Sequence, residues 1–215
     1  MIKNLLRAIS LSIVAMTFTA NEAQAQRQAM FELYGTDSTQ IVMLGNSLTA
    51  GAEWNELLKK PNVVNRGIVG DDAPAILRRI ECVTAGHPQK IFLMFGVNDI
   101  SHDLSADSVC KDVTRLIDTI MAQTPDTKLY IQSCLPCNNS FGRYKTMIGK
   151  EQTIRDLNVL LRREAEKRGL TFIDIHQAFC DEEGNLKKEW TSDGLHLLAP
   201  AYETWRDLIL PYINE

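Results

Sequence analysis

Four short blocks carry the residue types that acyl transfer needs. Gly45-Asn46-Ser47-Leu48 offers a hydroxyl, and Asn98, in Gly96-Val97-Asn98-Asp99, offers a side-chain amide. Gly67-Ile68-Val69-Gly70-Asp71 offers main-chain N–H groups that two glycines leave open to close approach. Asp193-Gly194-Leu195-His196 offers a carboxylate three residues before an imidazole, so one tight turn sets the first beside the second. A carboxylate that orients a histidine base is the supporting half of a serine nucleophile. An amide or a free N–H aimed at a reacting carbonyl stabilises the oxyanion that forms there. Each block also has a plain structural reading: a capping serine, a glycine turn, an Asx turn. The chain has four histidines. His87 precedes Pro88 in a loop, His102 follows the Asn98 turn, and His176 lies past a strand, so all three read as surface residues.

These blocks must be held by an alternating fold. Ile41-Val42-Met43-Leu44 reads as a buried strand that Gly45 stops, with a helix expected over Glu53–Lys60. Val63-Val64 is a brief second strand, and Ala75–Val83 a helix that Asp72 caps with Pro74 just inside. Ile91–Phe95, Leu129–Ile131 and Thr171–Asp174 supply three more strands. Helices are expected at Gln28–Tyr34, Val109–Met121, Glu151–Arg168 and Ala201–Ile213. Strands apolar throughout and separated by helices imply parallel pairing with both faces covered, a three-layer α/β/α sandwich.

With 215 residues, 45% of them hydrophobic, the chain suits one domain with a sizeable core. A net charge of −4 and no basic run argue against a nucleic-acid partner. Residues 1–25 read as a signal peptide. Lys3 and Arg7 give the positive start, Ala8–Ala20 is largely apolar, and Ala23-Gln24-Ala25 fits the cleavage pattern. The apolar stretch is shorter than the roughly 20 residues a spanning helix needs. Residues 26–215 are then the mature single domain, exported to the periplasm or beyond. The five cysteines leave at least one thiol unpaired in a monomer. Cys134-Leu135-Pro136-Cys137 has redox spacing, yet it follows a strand and enters a loop, where no helix start would activate it. No metal-ligand spacing is present.

Taken in order, the four blocks resemble the SGNH, or GDSL-type, hydrolase family, and the likeness runs from about Ile41 to Tyr212. Within it the chain is similar to the branch of the platelet-activating-factor acetylhydrolase catalytic subunits, which Gln132-Ser133-Cys134-Leu135-Pro136 also fits. Asn46 departs from the aspartate of the family name, a residue outside the triad. The resemblance implies a flavodoxin-like sheet of five parallel strands. It implies Ser47 as nucleophile, His196 as base and Asp193 as its orienter. The oxyanion hole would be the N–H groups of Ser47 and Gly70 and the amide of Asn98, and no cofactor or metal is needed.

The expected activity is an exported serine esterase acting on short acyl esters, acetyl foremost, carried by a carbohydrate. No long apolar lid segment is visible, and the segments before Ser47, Gly70, Asn98 and His196 are short. A lysophospholipase or thioesterase is the enzyme alternative. A carbohydrate-binding protein without turnover and a thiol oxidoreductase using Cys134 and Cys137 are the others.

Overall fold

The computed structural model describes residues 22–215. Residues 1–21 of the expected signal peptide lie outside the described residues. Helix α1 runs through residues 22–34, so it starts upstream of the expected Gln28 and contains the expected cleavage point after Ala25.

Five parallel strands form one sheet: β1 (Ile41–Gly45), β2 (Val63–Gly67), β3 (Lys90–Met94), β4 (Lys128–Gln132) and β5 (Thr171–Ile173). Their order is β2-β1-β3-β4-β5. Every residue of β1 and β3 is buried, as expected of strands covered on both faces. The chain winds outward from β1 in both directions, so β1 and β3 flank the switch point. Ligands bind outside the carboxyl ends of the strands at that point. Gly45 sits opposite Gly67 of β2 and Met94 of β3, which brings three of the four sequence blocks to one rim.

The connections are α2 (Ser47–Ala50), α3 (Trp54–Leu57), α4 (Ala73–Arg78), α5 (Glu81–Thr84), α6 (Val97–Ser101), α7 (Ala106–Gln123), α8 (Glu151–Lys167), α9 (His176–Phe179) and α10 (Ala199–Asn214). Helices α4, α7 and α8 pack side by side as one outer layer. In the other layer Trp205 of α10 stacks on Tyr202 and meets Trp54 edge-on at 5.1 Å between ring centroids. Both tryptophans are fully buried, and truncating either would cost about 3–5 kcal/mol.

Two expected helices come out shorter. The stretch from Glu53 to Lys60 keeps only α3 before Lys59 turns left-handed at φ 53°. The stretch from Ala75 to Val83 breaks into α4 and α5 at Arg79, whose side chain is drawn inward to Asp71 at 2.7 Å. The Asp72 cap is as expected: its carboxylate accepts the Ala75 N–H at 2.8 Å.

Candidate active site

The site is built outward from the end of β1. Asn46 caps α2, its side-chain oxygen accepting the Leu48 N–H at 3.0 Å, so Ser47 becomes the first helical residue. First-turn N–H groups of a helix have no partner within it. The turn is anchored from β2 by Asn65, whose amide donates to the carbonyls of Thr49 at 3.0 Å and Ala52 at 2.9 Å. Gly67 makes the approach of β2 possible, because a Cβ there would overlap the Ala50 nitrogen and the Asn46 carbonyl oxygen.

From the far end of the chain, the turn before α10 delivers the imidazole. Ser47 Oγ lies 3.1 Å from His196 Nε2, and His196 Nδ1 lies 2.8 Å from Asp193 Oδ2. The carboxylate selects the tautomer with the proton on Nδ1, which leaves Nε2 free to take the serine proton. Asp193 is nearly enclosed while the His196 side chain is 41% exposed, so the line opens to solvent away from the carboxylate. Burial pulls the Asp193 carboxyl upward. Donors from the His196 ring and the N–H groups of His196 and Leu195 outweigh it and hold the carboxyl well below the usual range. Asp193 therefore stays ionised beside the imidazole.

The expected oxyanion donors gather at the same rim. Neither the Ser47 nor the Gly70 N–H finds an acceptor among the described residues. Gly70 holds φ at +82°, a left-handed conformation that side chains rarely adopt. Asn98 stands on α6, one turn past β3, and one of its amide protons goes to the Asp71 carbonyl at 2.8 Å. That bond aims the amide and leaves its second proton free. Beneath it Asp99 is wholly buried, with one oxygen accepting the Ala73 N–H at 2.9 Å and the other unpartnered. Burial pushes its carboxyl up to about 6, against the pull of the Ala73 N–H.

The remaining histidines stand apart from Ser47. His102 is exposed, 3.7 Å from Asp72. His176 is not the surface residue its position suggested: it is buried, its Nδ1 donating to the Cys134 carbonyl at 2.8 Å. All five cysteines are free. Burial pushes the Cys134 thiol far up and the Cys137 thiol up to about 11, the opposite of redox activation. Among the described residues no group of three or more His, Cys, Asp or Glu is arranged to hold a metal, and no helix is long and apolar enough to cross a membrane.

Two contributors had no local signal in the sequence. Thr191 Oγ1 accepts the Gly194 N–H at 2.9 Å and closes the turn that carries Asp193 and His196. Tyr144, between β4 and α8, donates its hydroxyl to Asp193 Oδ2 at 3.0 Å. An open groove of about 710 Å³ runs between α3 and the start of α10, with Leu57, Leu197 and Leu198 on its walls.

Residues 43–204 match the GDSL-like lipase/acylhydrolase family. The human platelet-activating factor acetylhydrolase IB subunit alpha1 is 24% identical over 170 residues, which span 76% of this chain and 70% of the relative. An Escherichia coli N-acylneuraminate cytidylyltransferase is 29% identical over 172 residues, but the chain spans only 38% of its length. In three dimensions a Streptococcus pneumoniae protein named for platelet activating factor superposes with a TM-score of 0.84 at 23% identity, covering 95% of this chain and 99% of that one. A Geobacillus acetyl-xylooligosaccharide esterase variant superposes at 0.66 with 16% identity, covering 84% and 96%.

Proposed function

The chain belongs to the GDSL-like lipase/acylhydrolase family, and from that premise we propose that it is an exported serine esterase that removes short acyl groups, acetyl foremost, from a carbohydrate. The observation that carries the reading is the hydrogen-bonded line from Ser47 Oγ through His196 to Asp193. Ser47 Oγ attacks the ester carbonyl as its proton passes to His196 Nε2, and Asp193 stabilises the imidazolium. The N–H groups of Ser47 and Gly70 and the free amide proton of Asn98 hold the oxyanion. The alcohol leaves with the proton from His196. Water, deprotonated by the same imidazole, then releases the acid and frees Ser47.

The acetyl and carbohydrate parts draw support from two names among the similar proteins, an acetylhydrolase and an acetyl-xylooligosaccharide esterase. Export draws support from residues 1–25 of the sequence. Cleavage after Ala25 would also remove Gln24, whose amide donates to the Val69 carbonyl at 2.5 Å beside Gly70. Protein recovered from the periplasm should begin at Gln26, and an intact mass matching all 215 residues would refute the signal.

A second reading has one observation in its favour. The groove walled by Leu57, Leu197 and Leu198 starts one residue past His196 in the chain and offers apolar surface to a longer acyl chain, as a lysophospholipase or thioesterase would need. The two readings part on kcat/KM for p-nitrophenyl acetate, butyrate, octanoate and palmitate. Each methylene buried in a true acyl groove favours binding by about 0.8 kcal/mol. A decline beyond butyrate, with deacetylation of acetylated xylo-oligosaccharides, supports the short-acyl esterase. A rise through octanoate supports the alternative.

A further inference from the structure

We propose that Tyr144 is a positioning residue for the Ser47 reaction: its hydroxyl shares Asp193 Oδ2 with His196, fixing the carboxylate and tempering its hold on the imidazole. The role rests on the serine-esterase reading above. Its basis is how five polar neighbours divide between the two oxygens of Asp193. Oδ1 is taken from its own turn, by the N–H of Leu195 at 2.9 Å, the N–H of His196 at 2.8 Å and Thr191 Oγ1 at 3.4 Å. Oδ2 faces outward and receives two side chains, His196 Nδ1 at 2.8 Å and Tyr144 OH at 3.0 Å. The phenol oxygen also lies 3.1 Å from His196 Nδ1, which closes a triangle of three polar atoms. The Tyr144 ring meets the imidazole edge-on at 5.8 Å between centroids.

This phenol is not a loose surface group. Its segment is tied to the same turn that carries Asp193 and His196, since the Asn138 N–H donates to the Gly194 carbonyl at 2.8 Å. The Asn138 amide donates onward to the Leu186 carbonyl at 2.7 Å, and the Asn139 amide to the Met147 carbonyl at 2.9 Å. Burial, then the bond to Asp193, raises the phenol above its ordinary value, so it is a neutral donor at neutral pH. The groups around the imidazole are Asp193 on its own turn, neutral Ser47 on α2, and Tyr144 with the neighbouring Arg143 on the β4–α8 segment.

Two effects follow from the triangle, and they oppose each other. The phenol oxygen is a weak second acceptor for Nδ1–H, which favours the imidazolium. The phenol proton withdraws charge from Oδ2, which disfavours it. Nδ1 carries a single proton and shares it with Oδ2 at 2.8 Å, closer than the phenol oxygen at 3.1 Å, so little of it is left for the phenol and the second effect wins. Tyr144 thereby loosens the grip of Asp193 on the imidazolium by drawing charge from the oxygen that His196 shares.

Tyr144→Phe keeps the ring and deletes only the hydroxyl. Two readouts are required, kcat/KM against pH and the imidazole titration of His196 followed by NMR. The acid limb of kcat/KM and the NMR midpoint should both move to higher pH by about half a unit or more. The value of kcat should fall several-fold, with KM and melting temperature nearly unchanged. Lower thermal stability with an unmoved limb and midpoint would make Tyr144 a packing residue and overturn the proposal. The NMR arm needs no turnover, so the two failures separate. An unmoved midpoint with Ser47-dependent turnover refutes the Tyr144 role alone. Turnover that survives Ser47→Ala refutes the esterase reading beneath it.

Discussion

Ser47 and His196 stand 149 positions apart in the chain, yet Oγ and Nε2 meet at 3.1 Å. Two unrelated local devices produce that meeting. The Asn46 cap fixes where α2 begins and so the direction of the Ser47 side chain. The Thr191 hydroxyl and the Asp193 carboxylate together close the turn that raises His196, accepting the N–H groups of Gly194, Leu195 and His196. Because neither residue reaches the other through its own element, the pair forms only in the folded sheet.

Ser47→Ala and His196→Ala should each abolish ester turnover while circular dichroism and melting stay close to wild type. The double variant should be no slower than either single one, since groups that act as a unit are strongly non-additive. Additive losses, or turnover retained by Ser47→Ala, would count against a shared proton transfer.

Asn98→Ala should lower kcat by about 10²- to 10³-fold with little change in KM, the signature of a donor used mainly in the transition state. A rise in KM alone would assign Asn98 to substrate binding.

Asp99 should make stability depend on pH. Its carboxyl is raised from 3.8 to about 6 in the folded protein, so between those values the native state holds more protons than the unfolded one. Stability then falls as pH rises through that window, and a two-unit shift corresponds to about 3 kcal/mol at most. Asn in its place can still accept the Ala73 N–H. Asp99→Asn should therefore melt higher than wild type at neutral pH, with the gain fading near pH 4. An equal gain at both pH values, or none, would show that Asp99 carries no such titration.

Gly67→Ala should damage stability and activity together. The added Cβ meets backbone, the Ala50 nitrogen and the Asn46 carbonyl oxygen, which cannot swing aside as a side chain would. Overpacking of this kind costs about 1–3 kcal/mol and would shift α2 with its serine. Full activity in a stable Gly67→Ala protein would mean that β2 does not hold the Ser47 turn.

The sheet was legible because its strands are apolar on both faces and its helices are amphipathic, which a periodic pattern records. The positions of Ser47, Gly70, Asn98, Asp193 and His196 were legible because their blocks break that pattern just past strands or before a helix. What escaped was tertiary. Arg79 reads as one more residue of an apolar-faced helix, and only its buried contact with Asp71 accompanies the break between α4 and α5. His176 looks exposed past β5, but the Cys134 carbonyl gives it a buried partner that no local pattern reveals. Tyr144 lies between two short 3₁₀ turns with no periodicity of its own, and its partner Asp193 is 49 residues away.

On the proposed mechanism Ser47 becomes acylated. Incubation with a fluorophosphonate, followed by peptide mass mapping, tests it without knowledge of the natural ester. A single adduct on the peptide containing Ser47, formed in step with loss of p-nitrophenyl acetate turnover and absent from Ser47→Ala, is the predicted result. An adduct on another residue, or full turnover in protein modified at Ser47, would contradict it.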